Sequence, residues 1–375
     1  MKLPIPNEEH FKAPAHDERV TSKIGLALAV TFTTCFVTGL ISHLIQHPPE
    51  WFFWPSRPVG LYRVTQGLHV ISGAASIPLL LAKLWSVYPK LFGRPLVRSL
   101  PHALERLSIL VLSGAAFFEL TTGLLNVAQN YPWGFYFPQV HYAVAWLAIG
   151  SILVHVAVKL PVLRRALSRG TPEEEPPAAG LSRRGFLRTT GLATGVAVVA
   201  TAGATVPFLR GISGLSWKTG KGTQDLPVNR TAVAAGVTQS AQAAAWRLSV
   251  VTPRGTTKFS LDELRALPQT TAELPIACVE GWSQSATWRG ISLPALLKAV
   301  GASPGTAVRV SSLERSGLYG VSVLPGEHTA DELTLLALEL NGEVLDLDHG
   351  FPCRIIAPNR PGVLQTKWVT KLEAL

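Results

Sequence analysis

A single cysteine, Cys278, lies among glycine and tryptophan residues in the segment 276–290, IACVEGWSQSATWRG. A thiolate is a soft ligand that suits metals which change oxidation state. A buried cysteine is also commonly an inert apolar side chain. The other two cysteines, Cys35 and Cys353, are far away in the sequence, so no disulfide framework is predicted. The segment alone leaves a core thiol and a metal ligand as open interpretations.

Histidines in the apolar N-terminal half form a second set of candidates for redox chemistry. His141 and His155 are 14 residues apart, close to four helical turns, which places them on one helix face with ~21 Å between them. Each can give one axial ligand to the iron of a haem b. Intramembrane histidine is usually functional, and the alternative is hydrogen bonding within a helix bundle.

The second ligand of each iron has to come from another helix. His69 and His141 form the expected outer pair, and His43 is the rival for this site. His102 lies near the start of the third apolar run and is a further partner. Glu119, the only charged residue of that run, serves proton or quinone chemistry or is paired inside the bundle.

Composition predicts a membrane protein. The 375 residues are 47% apolar and 15% charged, with a mean hydropathy of +0.26. The formal net charge is +10, but the basic residues flank apolar runs and form no stripe interleaved with aromatics, which argues against a nucleic-acid partner. Five apolar runs approach the ~20 residues that a membrane-spanning helix needs. They cover residues 24–45, 64–82, 107–127, 140–158 and 189–209.

Lysine and arginine cluster before the first run, between the second and third, and between the fourth and fifth. By the positive-inside rule the N-terminus is cytoplasmic, and the chain after about Arg210 is extracytoplasmic. Residues 182–188, SRRGFLR, look like a twin-arginine export signal. Because the signal is internal, we expect it to remain as a fifth helix. The alternative is an ordinary span that happens to follow an arginine pair.

From Trp246 onward short strands and helices alternate, which predicts a mixed α/β domain large enough to bury a core. Ser260 and Ser292 are predicted to cap helices, and Gly301 to end the second of them. Residues 330–342, ADELTLLALELNG, are predicted to form a further helix. Residues 211–245 are predicted to be an extended tether with little structure of its own.

Five short motifs follow one another in the C-terminal part: residues 278–283, CVEGWS; 288–290, WRG; 341–342, NG; 349–354, HGFPCR; and 367–369, KWV. In this order they resemble the molybdopterin-binding domain of the sulfite oxidase superfamily, in its methionine-sulfoxide-reductase-like branch. The helices before it resemble a cytochrome-b-like membrane bundle fused to that domain. The resemblance implies that the Cys278 thiolate binds molybdenum. It also implies a set of residues that hold the pterin and its phosphate: His349, Arg354, Thr366, Lys367, Glu280 and Gly281.

Arg315 and Tyr319 are the candidates for catalytic residues of the substrate pocket. True sulfite oxidases carry an arginine-rich sequence after the ligand cysteine, whereas here residues 280–282 read Glu-Gly-Trp. A doubly charged sulfite requires cations near the metal, so sulfite is not the expected substrate.

The predicted fold is multi-domain. An α-helical transmembrane bundle of four helices plus a twin-arginine-like fifth is followed by a mixed α/β (α+β) molybdopterin domain of the sulfite oxidase type. The predicted segments are a cytoplasmic N-terminal segment (1–23), the four-helix domain with haem b (24–165), a cytoplasmic linker (166–188), the fifth helix (189–210), the tether (211–245) and the molybdopterin-binding domain (246–375).

The expected function is a multi-pass membrane oxidoreductase. It carries out two-electron oxygen-atom transfer or reduction of a small molecule at an extracytoplasmic molybdenum cofactor. Its electrons are exchanged with the membrane, through haem b and a quinone or another electron donor or acceptor. The alternative is a membrane-anchored binding or receptor protein that kept the fold without redox activity.

Overall fold

The computed structural model describes residues 13–92, 95, 97–168, 181–216, 222–315, 317 and 320–375. These residues divide into two compact units. One lies within Met1–Leu40, Leu68–Ala202 and Gly211–Leu215, and the other within Ile41–Gly67, Gly203–Arg210 and Ser216–Leu375. The second unit therefore starts earlier in the chain than the predicted domain, because it includes the segment Ile41–Gly67.

Five long helices occur in the described part of the N-terminal half: α1 (Glu18–Gln46), α2 (Leu61–Val87), α3 (Leu100–Val127), α4 (Phe137–Ser168) and α5 (Arg183–Thr201). Each is long and apolar enough to cross a membrane, with mean hydropathies of 1.2–2.0 over its most apolar stretch. Most of the helices extend beyond the uncharged runs that predicted them, into flanking segments that carry charged residues. α5 starts at Arg183, within the twin-arginine-like segment, and Ser182 caps it by accepting a hydrogen bond from the Gly185 amide.

Polar contacts join the helices of the first unit. Ser76 on α2 donates to Thr31 on α1 over 2.8 Å, and Lys83 Nζ donates to the Thr21 carbonyl over 2.9 Å. Arg183 at the start of α5 pairs with Asp17 at 3.3 Å. Hydrogen bonds of this kind help to hold apolar helices together where burial of apolar surface provides little driving force.

Two five-stranded sheets form the C-terminal part. The strands are β1 (Leu248–Thr252), β2 (Gly255–Phe259), β3 (Thr270–Ala277), β4 (Ser283–Ser292), β5 (Val308–Ser312), β6 (Val321–Leu324), β7 (Leu335–Leu340), β8 (Glu343–Val344), β9 (Arg354–Ile356) and β10 (Val369–Ala374). The first sheet has the order β2-β1-β10-β5-β6, and only β1 and β10 pair in parallel. The second has the order β3-β4-β7-β8, with β9 also paired to β7.

Four short helices accompany the sheets: α6 (Thr238–Gln242), α7 (Leu261–Ala266), α8 (Leu293–Ala299) and α9 (Gly326–Thr329). The predicted cap of α7 is confirmed, since Ser260 and Glu263 form a reciprocal capping box. Ser292 is the N-cap residue of α8, as predicted, but its hydroxyl donates to Glu332 and makes no capping hydrogen bond to the helix. Gly301 follows α8 with φ +75°, as a helix-ending glycine requires.

The predicted helix over residues 330–342 is wrong, because this segment contains strand β7. Leu336 and Leu338 face the core formed with α8 and the first sheet, while Leu335, Ala337 and Leu340 face a second core around Trp288. A strand buried on both faces reads as a continuous apolar run, which periodicity alone does not distinguish from a helix. The high leucine content therefore led to the prediction of a helix where the structure has a strand.

Part of the predicted tether is structured. Ala232, Val237 and Ala241 are buried against Trp368 in a small apolar cluster. The segment before β1 therefore packs onto the domain instead of hanging free. Small alanine side chains carry no strong burial signal in the sequence, which is why composition alone indicated an extended linker.

Gly290 of the Trp-Arg-Gly motif lies at a β-bulge where β4 meets β7. A Cβ atom there would come within 2.1 Å of the Leu336 carbonyl oxygen and 2.6 Å of the Ala337 Cα. Both are backbone atoms of the central strand, so they cannot move aside as a side chain would. The glycine is required by this close approach.

We expect Gly290→Ala to lower the free energy of unfolding by roughly 3 kcal/mol, because overpacking here has to displace a strand. Gly134→Ala is the matched control, since a Cβ at that exposed glycine meets nothing within 4 Å. Thermal unfolding followed by circular dichroism measures both. Equal midpoints for the two variants would contradict the close approach.

Candidate functional site

Cys278 occupies the tight turn between β3 and β4. Its amide donates to the Trp282 carbonyl over 2.8 Å, and the Gly281 amide donates back to the Cys278 carbonyl over 3.0 Å. Gly281 has φ +89°, a conformation that favours glycine. The thiol is fully buried and lies against the apolar cluster around Trp288. The turn therefore fixes the thiol at the end of a strand.

The backbone of residues 361–362 closes the other side of this turn. Ala277 forms a β-bridge with Pro361. A Cβ on Gly362 would lie 3.1 Å from the Ile276 side chain and 3.6 Å from the Cys278 Cα. The tight contact is with the Ile276 side chain, and the β-bridge places this second backbone segment beside the turn that holds the thiol.

Arg354 is a buried cation without a matching anion. Its guanidinium donates to the His349 carbonyl over 3.0 Å and to the Gln365 carbonyl over 3.1 Å, and it lies 5.0 Å from the centre of the Trp288 ring. Its Nε has no hydrogen-bond partner, and no carboxylate lies within 4.0 Å of it in the described part of the chain. Burial lowers the pKa of Arg354 to about 9. An uncompensated buried charge is costly, which indicates a site for an anionic ligand.

Lys367 and His349 lie beside this guanidinium. Lys367 Nζ donates to the Asp348 carbonyl over 2.8 Å, and burial, followed by the charge of Arg354, lowers the pKa of Lys367 to about 7. The His349 Nε2 lies 2.6 Å from the Thr223 carbonyl and therefore donates to it. Burial also lowers the pKa of His349 to about 4, so the ring is neutral near pH 7.

Gly350 allows these side chains to converge. It has φ +112°, and a Cβ there would lie 3.1 Å from the Cβ atoms of both Arg354 and Lys367. Any larger residue would push the two cations apart. Steric contact therefore explains why a glycine occupies this position of the His-Gly-Phe-Pro motif.

Side chains of this domain do not form a complete metal site by themselves. Within the described ranges, no group of three or more His, Cys, Asp or Glu side chains is arranged to hold a metal ion. A metal at Cys278 would have to bring most of its ligands with it. An anionic organic ligand that carries the metal would satisfy both the single thiol and the uncompensated Arg354 guanidinium.

Comparison with known proteins supports a ligand of this kind. Residues 234–375 match the family model described as oxidoreductase molybdopterin binding domain. The sulfite oxidase of Arabidopsis thaliana is 28% identical over 151 residues, which cover 32% of this chain and 38% of the relative. The catalytic subunit of a protein-methionine-sulfoxide reductase from Burkholderia mallei is 30% identical over 142 residues, which cover 34% of this chain and 43% of the relative.

These matches support a molybdopterin-binding domain of the sulfite oxidase superfamily in the C-terminal part of the chain. The sequence resemblance is thus confirmed for this domain, and the resemblance of the helices to a cytochrome b stays a prediction. The crystal structure of the sulfane dehydrogenase SoxCD from Paracoccus pantotrophus aligns with a TM-score of 0.32 and 23% identity, over 35% of this chain and 38% of that one. The chain spans less than half the length of each of these relatives.

The remaining predicted residues of the molybdopterin-binding domain occupy varied positions. Glu280 accepts a hydrogen bond from the Trp282 indole over 3.2 Å, and the Thr366 hydroxyl bonds to that of Ser322 over 2.7 Å. Arg315 is exposed in the loop after β5. Tyr319 lies outside the described residues.

Two residues of this site had no assigned role in the sequence analysis. Trp288 provides the ring over which Arg354 lies. Gln365 accepts from the Ala357 amide over 2.8 Å and donates to the Ala357 carbonyl over 2.7 Å, which fixes the carbonyl that Arg354 uses. The signal in the sequence that could have identified Gln365 as a site residue is its position directly before Thr366 and Lys367.

The helical unit brings His69 and His141 together. Their ring centres are 6.5 Å apart, with the planes at 74°. His69 Nδ1 bonds to the Cys35 carbonyl over 2.8 Å, and His141 Nδ1 to the Thr122 hydroxyl over 3.0 Å. In each ring, Nε2 is thus the nitrogen that is left for another partner. The Glu119 carboxylate lies 3.1 Å from the Nε2 atom of His141.

The other histidines have different surroundings. His43 stacks with His47, with ring centres 4.9 Å apart. The charged groups around His155 are Lys83, Lys159 and Glu105. His102 Nδ1 accepts from the Arg98 amide over 3.3 Å. The described contacts therefore show one histidine pair across two helices, and it is the pair formed by His69 and His141.

The lowered pKa of Lys367 predicts a pH dependence of stability in the molybdenum-depleted protein. An unfolded lysine titrates near 10.5, so between pH 7 and about 10 the folded chain binds fewer protons than the unfolded chain. Stability contributed by this position therefore increases with pH over that range and is lowest below pH 7. We expect the thermal midpoint of the wild type, relative to Lys367→Gln, to rise from pH 7 to about 9.5. A difference that stays constant with pH would show that Lys367 keeps its ordinary pKa.

Proposed function

We propose that the chain is a membrane-bound molybdopterin-dependent oxidoreductase that transfers an oxygen atom to or from a small molecule, or reduces it, in a two-electron reaction. The observation that carries the proposal is the combination of one buried thiol, fixed in a tight turn, with the buried Arg354 guanidinium, which has no carboxylate partner in the described part of the chain, in a molybdopterin-binding domain. An apolar core accounts for a buried thiol, but it does not account for a buried guanidinium without an anion. Together they fit a metal complex that carries a phosphate.

Different side chains of the domain would hold different parts of the cofactor. Cys278 would hold the metal, since a thiolate is the appropriate soft ligand. Arg354, Lys367 and the His349 region would hold the phosphate, because a permanently charged planar guanidinium and an ammonium suit that group. When bound, the molybdenum cofactor supplies the two-electron redox chemistry. Trp282 and Trp288, both largely buried, exclude water from the thiol side of the site.

The charge next to Cys278 bears on the substrate. The carboxylate of Glu280 is held by the Trp282 indole two residues after the thiol. Residues 280–282, Glu-Gly-Trp, provide no cation close to the thiol in the sequence, whereas a doubly negative sulfite requires cations near the metal. We therefore favour an uncharged oxygen donor or acceptor as the substrate, a class to which a sulfoxide belongs. Arg315 and Tyr319 stay candidates for the rim of the substrate pocket.

The five apolar helices support a location in the cell membrane. In the proposed topology the N-terminus is cytoplasmic and the molybdopterin-binding domain is extracytoplasmic, which agrees with the distribution of lysine and arginine and with the twin-arginine-like segment. The helices would exchange electrons with a quinone or another membrane donor or acceptor. No part of this topology requires a nucleic-acid partner.

A haem b between His69 and His141 is the proposed electron carrier of the helical unit. The Nδ1 bonds orient both rings and leave Nε2 for the iron, which is the usual arrangement for a ligating histidine. Gly39 lies against the His69 ring and Gly123 within 3.9 Å of the His141 ring, so two helix backbones come close to the ligands. Glu119 now contacts the nitrogen that the iron would take, and this contact has to open when iron binds.

We expect Cys278→Ser to lose most of the bound molybdenum and at least about a hundredfold of the activity, because a hydroxyl is a poor ligand for the metal. Cys353→Ser is the matched control. Cys353 is also fully buried, but its Sγ lies 3.6 Å from the Val369 carbonyl in the main core. Metal analysis of the purified full-length chain measures both variants.

Near-stoichiometric molybdenum in the wild type excludes the alternative of a receptor without redox activity. Full molybdenum content and activity in Cys278→Ser would refute the assignment of the ligand.

For the helical unit we expect a reduced-minus-oxidised spectrum with haem b bands, lost in both His69→Leu and His141→Leu. His102→Gln is the control and keeps the bands, because its ring contacts only the start of its own helix. A wild-type spectrum without these bands would refute the haem proposal alone. The molybdopterin-binding domain would then need a separate electron partner.

A further inference from the structure

The segment Ile41–Gly67 is integrated into the unit that contains the molybdopterin-binding domain. Asn359, which follows β9, is buried and has φ +55°. All four of its polar groups bond to this segment. Its Oδ1 accepts from the Tyr62 amide at 2.6 Å, its Nδ2 donates to the Pro55 carbonyl at 2.6 Å, its carbonyl accepts from the Trp54 indole at 2.9 Å, and its amide donates to the Val59 carbonyl at 3.2 Å.

Two further contacts reinforce this attachment. Arg57 forms a two-pronged ion pair with Asp331, with N–O distances of 2.8 and 2.9 Å. Tyr62 is buried in an apolar cluster with Ala277, the residue before Cys278. Bidentate arginine–carboxylate pairs fix orientation as well as distance. The segment is therefore held in one position against the strand that carries the thiol.

Side chains from outside residues 234–375 bind the turn that holds Cys278 and Ser283, the first residue of β4. Gln66 Nε2 donates to the Val279 carbonyl over 3.3 Å, and the Thr205 hydroxyl donates to the Gly281 carbonyl. Arg63 Nε donates to the Ser283 hydroxyl over 2.6 Å. Both Gln66 and Thr205 are buried, with 5% of each residue exposed.

These donors complete the hydrogen bonding of the turn. The internal bonds of the turn use the amides of Cys278 and Gly281 and the carbonyls of Cys278 and Trp282. The carbonyls of Val279 and Gly281 take no part in them. A hydrogen bond to a carbonyl fixes the direction of its peptide plane, so donors opposite these two groups help to hold the turn in this shape. Gln66 and Thr205 provide them.

We propose that Gln66 and Thr205 are positioning residues for the Cys278 thiolate, so that the site is completed by side chains from outside the molybdopterin-binding domain. The assignment of a metal to the thiolate rests on the proposed function. The hydrogen bonds themselves do not depend on it, and the two can be tested separately.

Hydrogen exchange of the 276–283 peptide in the purified full-length chain tests the positioning. Gln66→Leu and Thr205→Val each remove one donor at nearly constant volume. We expect the amides of the turn to exchange about tenfold faster in each, the factor that corresponds to the loss of about 1.4 kcal/mol. Thr205→Ser keeps the hydroxyl and restores slow exchange. Thr65→Val is the control, because that hydroxyl bonds only to the Tyr62 carbonyl of its own helix.

A spectroscopic measurement follows the thiolate itself. In the molybdenum-loaded chain, Gln66→Leu and Thr205→Val are expected to shift or broaden the paramagnetic resonance of molybdenum(V), while Thr205→Ser and Thr65→Val leave it unchanged. A general loss of stability would not produce this pattern.

Exchange in the turn that is as slow in Gln66→Leu and Thr205→Val as in the wild type would overturn the proposal. If Gln66→Leu does not fold, the comparison of Thr205→Val with Thr205→Ser still decides it. A wild-type chain without molybdenum would refute the proposed function, and the exchange rates would continue to report on the turn.

Discussion

The buried positive charge of Arg354 is the constraint around which the molybdopterin-binding domain is arranged. The guanidinium has two backbone carbonyls and the face of Trp288 as partners, and in the described part of the chain no carboxylate neutralises it. Carbonyl dipoles and an aromatic face offset only part of the loss of hydration. The fold therefore retains an unfavourable charge that an anionic ligand would compensate. A stable domain without a ligand would replace this arginine with an apolar side chain.

Several local features exist because this charge has to be held near a second cation. Gly350 adopts a left-handed conformation so that the Cβ atoms of Arg354 and Lys367 can approach it. Gln365 fixes the carbonyl on which Arg354 depends, and Gly362 brings the neighbouring backbone to the Cys278 turn. Residues 361–367 therefore contribute both to the turn that holds the thiol and to the surroundings of the cations.

The sequence predicted the parts of this site that short motifs encode. Cys278, His349, Arg354 and Lys367 lie in segments rich in glycine, proline and tryptophan, where the residue type follows from a steric or chemical need. Strand β7 was not predicted, because burial on both faces removes the alternation that marks a strand. In the helical unit, hydropathy predicted five helices, and the spacing of histidines defined faces. Which histidine meets which depends on helix packing, and the stacking of His43 on His47 could not be inferred from spacing.

The boundary of the catalytic unit was the feature least accessible from the sequence. Composition separates apolar helices from a polar domain, and it places Tyr62 and Gln66 with the helices. The Tyr62 amide bonds to the Asn359 side chain, and the Gln66 side chain bonds to the Val279 carbonyl. The two residues of each pair are more than 200 positions apart, and composition cannot indicate a hydrogen bond between them. Hydrogen bonds of this kind act through geometry, because each fixes the direction of a backbone group. In the proposed function this turn carries a metal ligand, and a small displacement of the thiolate would then change the metal site directly. The same physical requirement that makes the Cys278 turn rigid therefore extends the catalytic unit into a part of the chain that hydropathy assigns to the membrane.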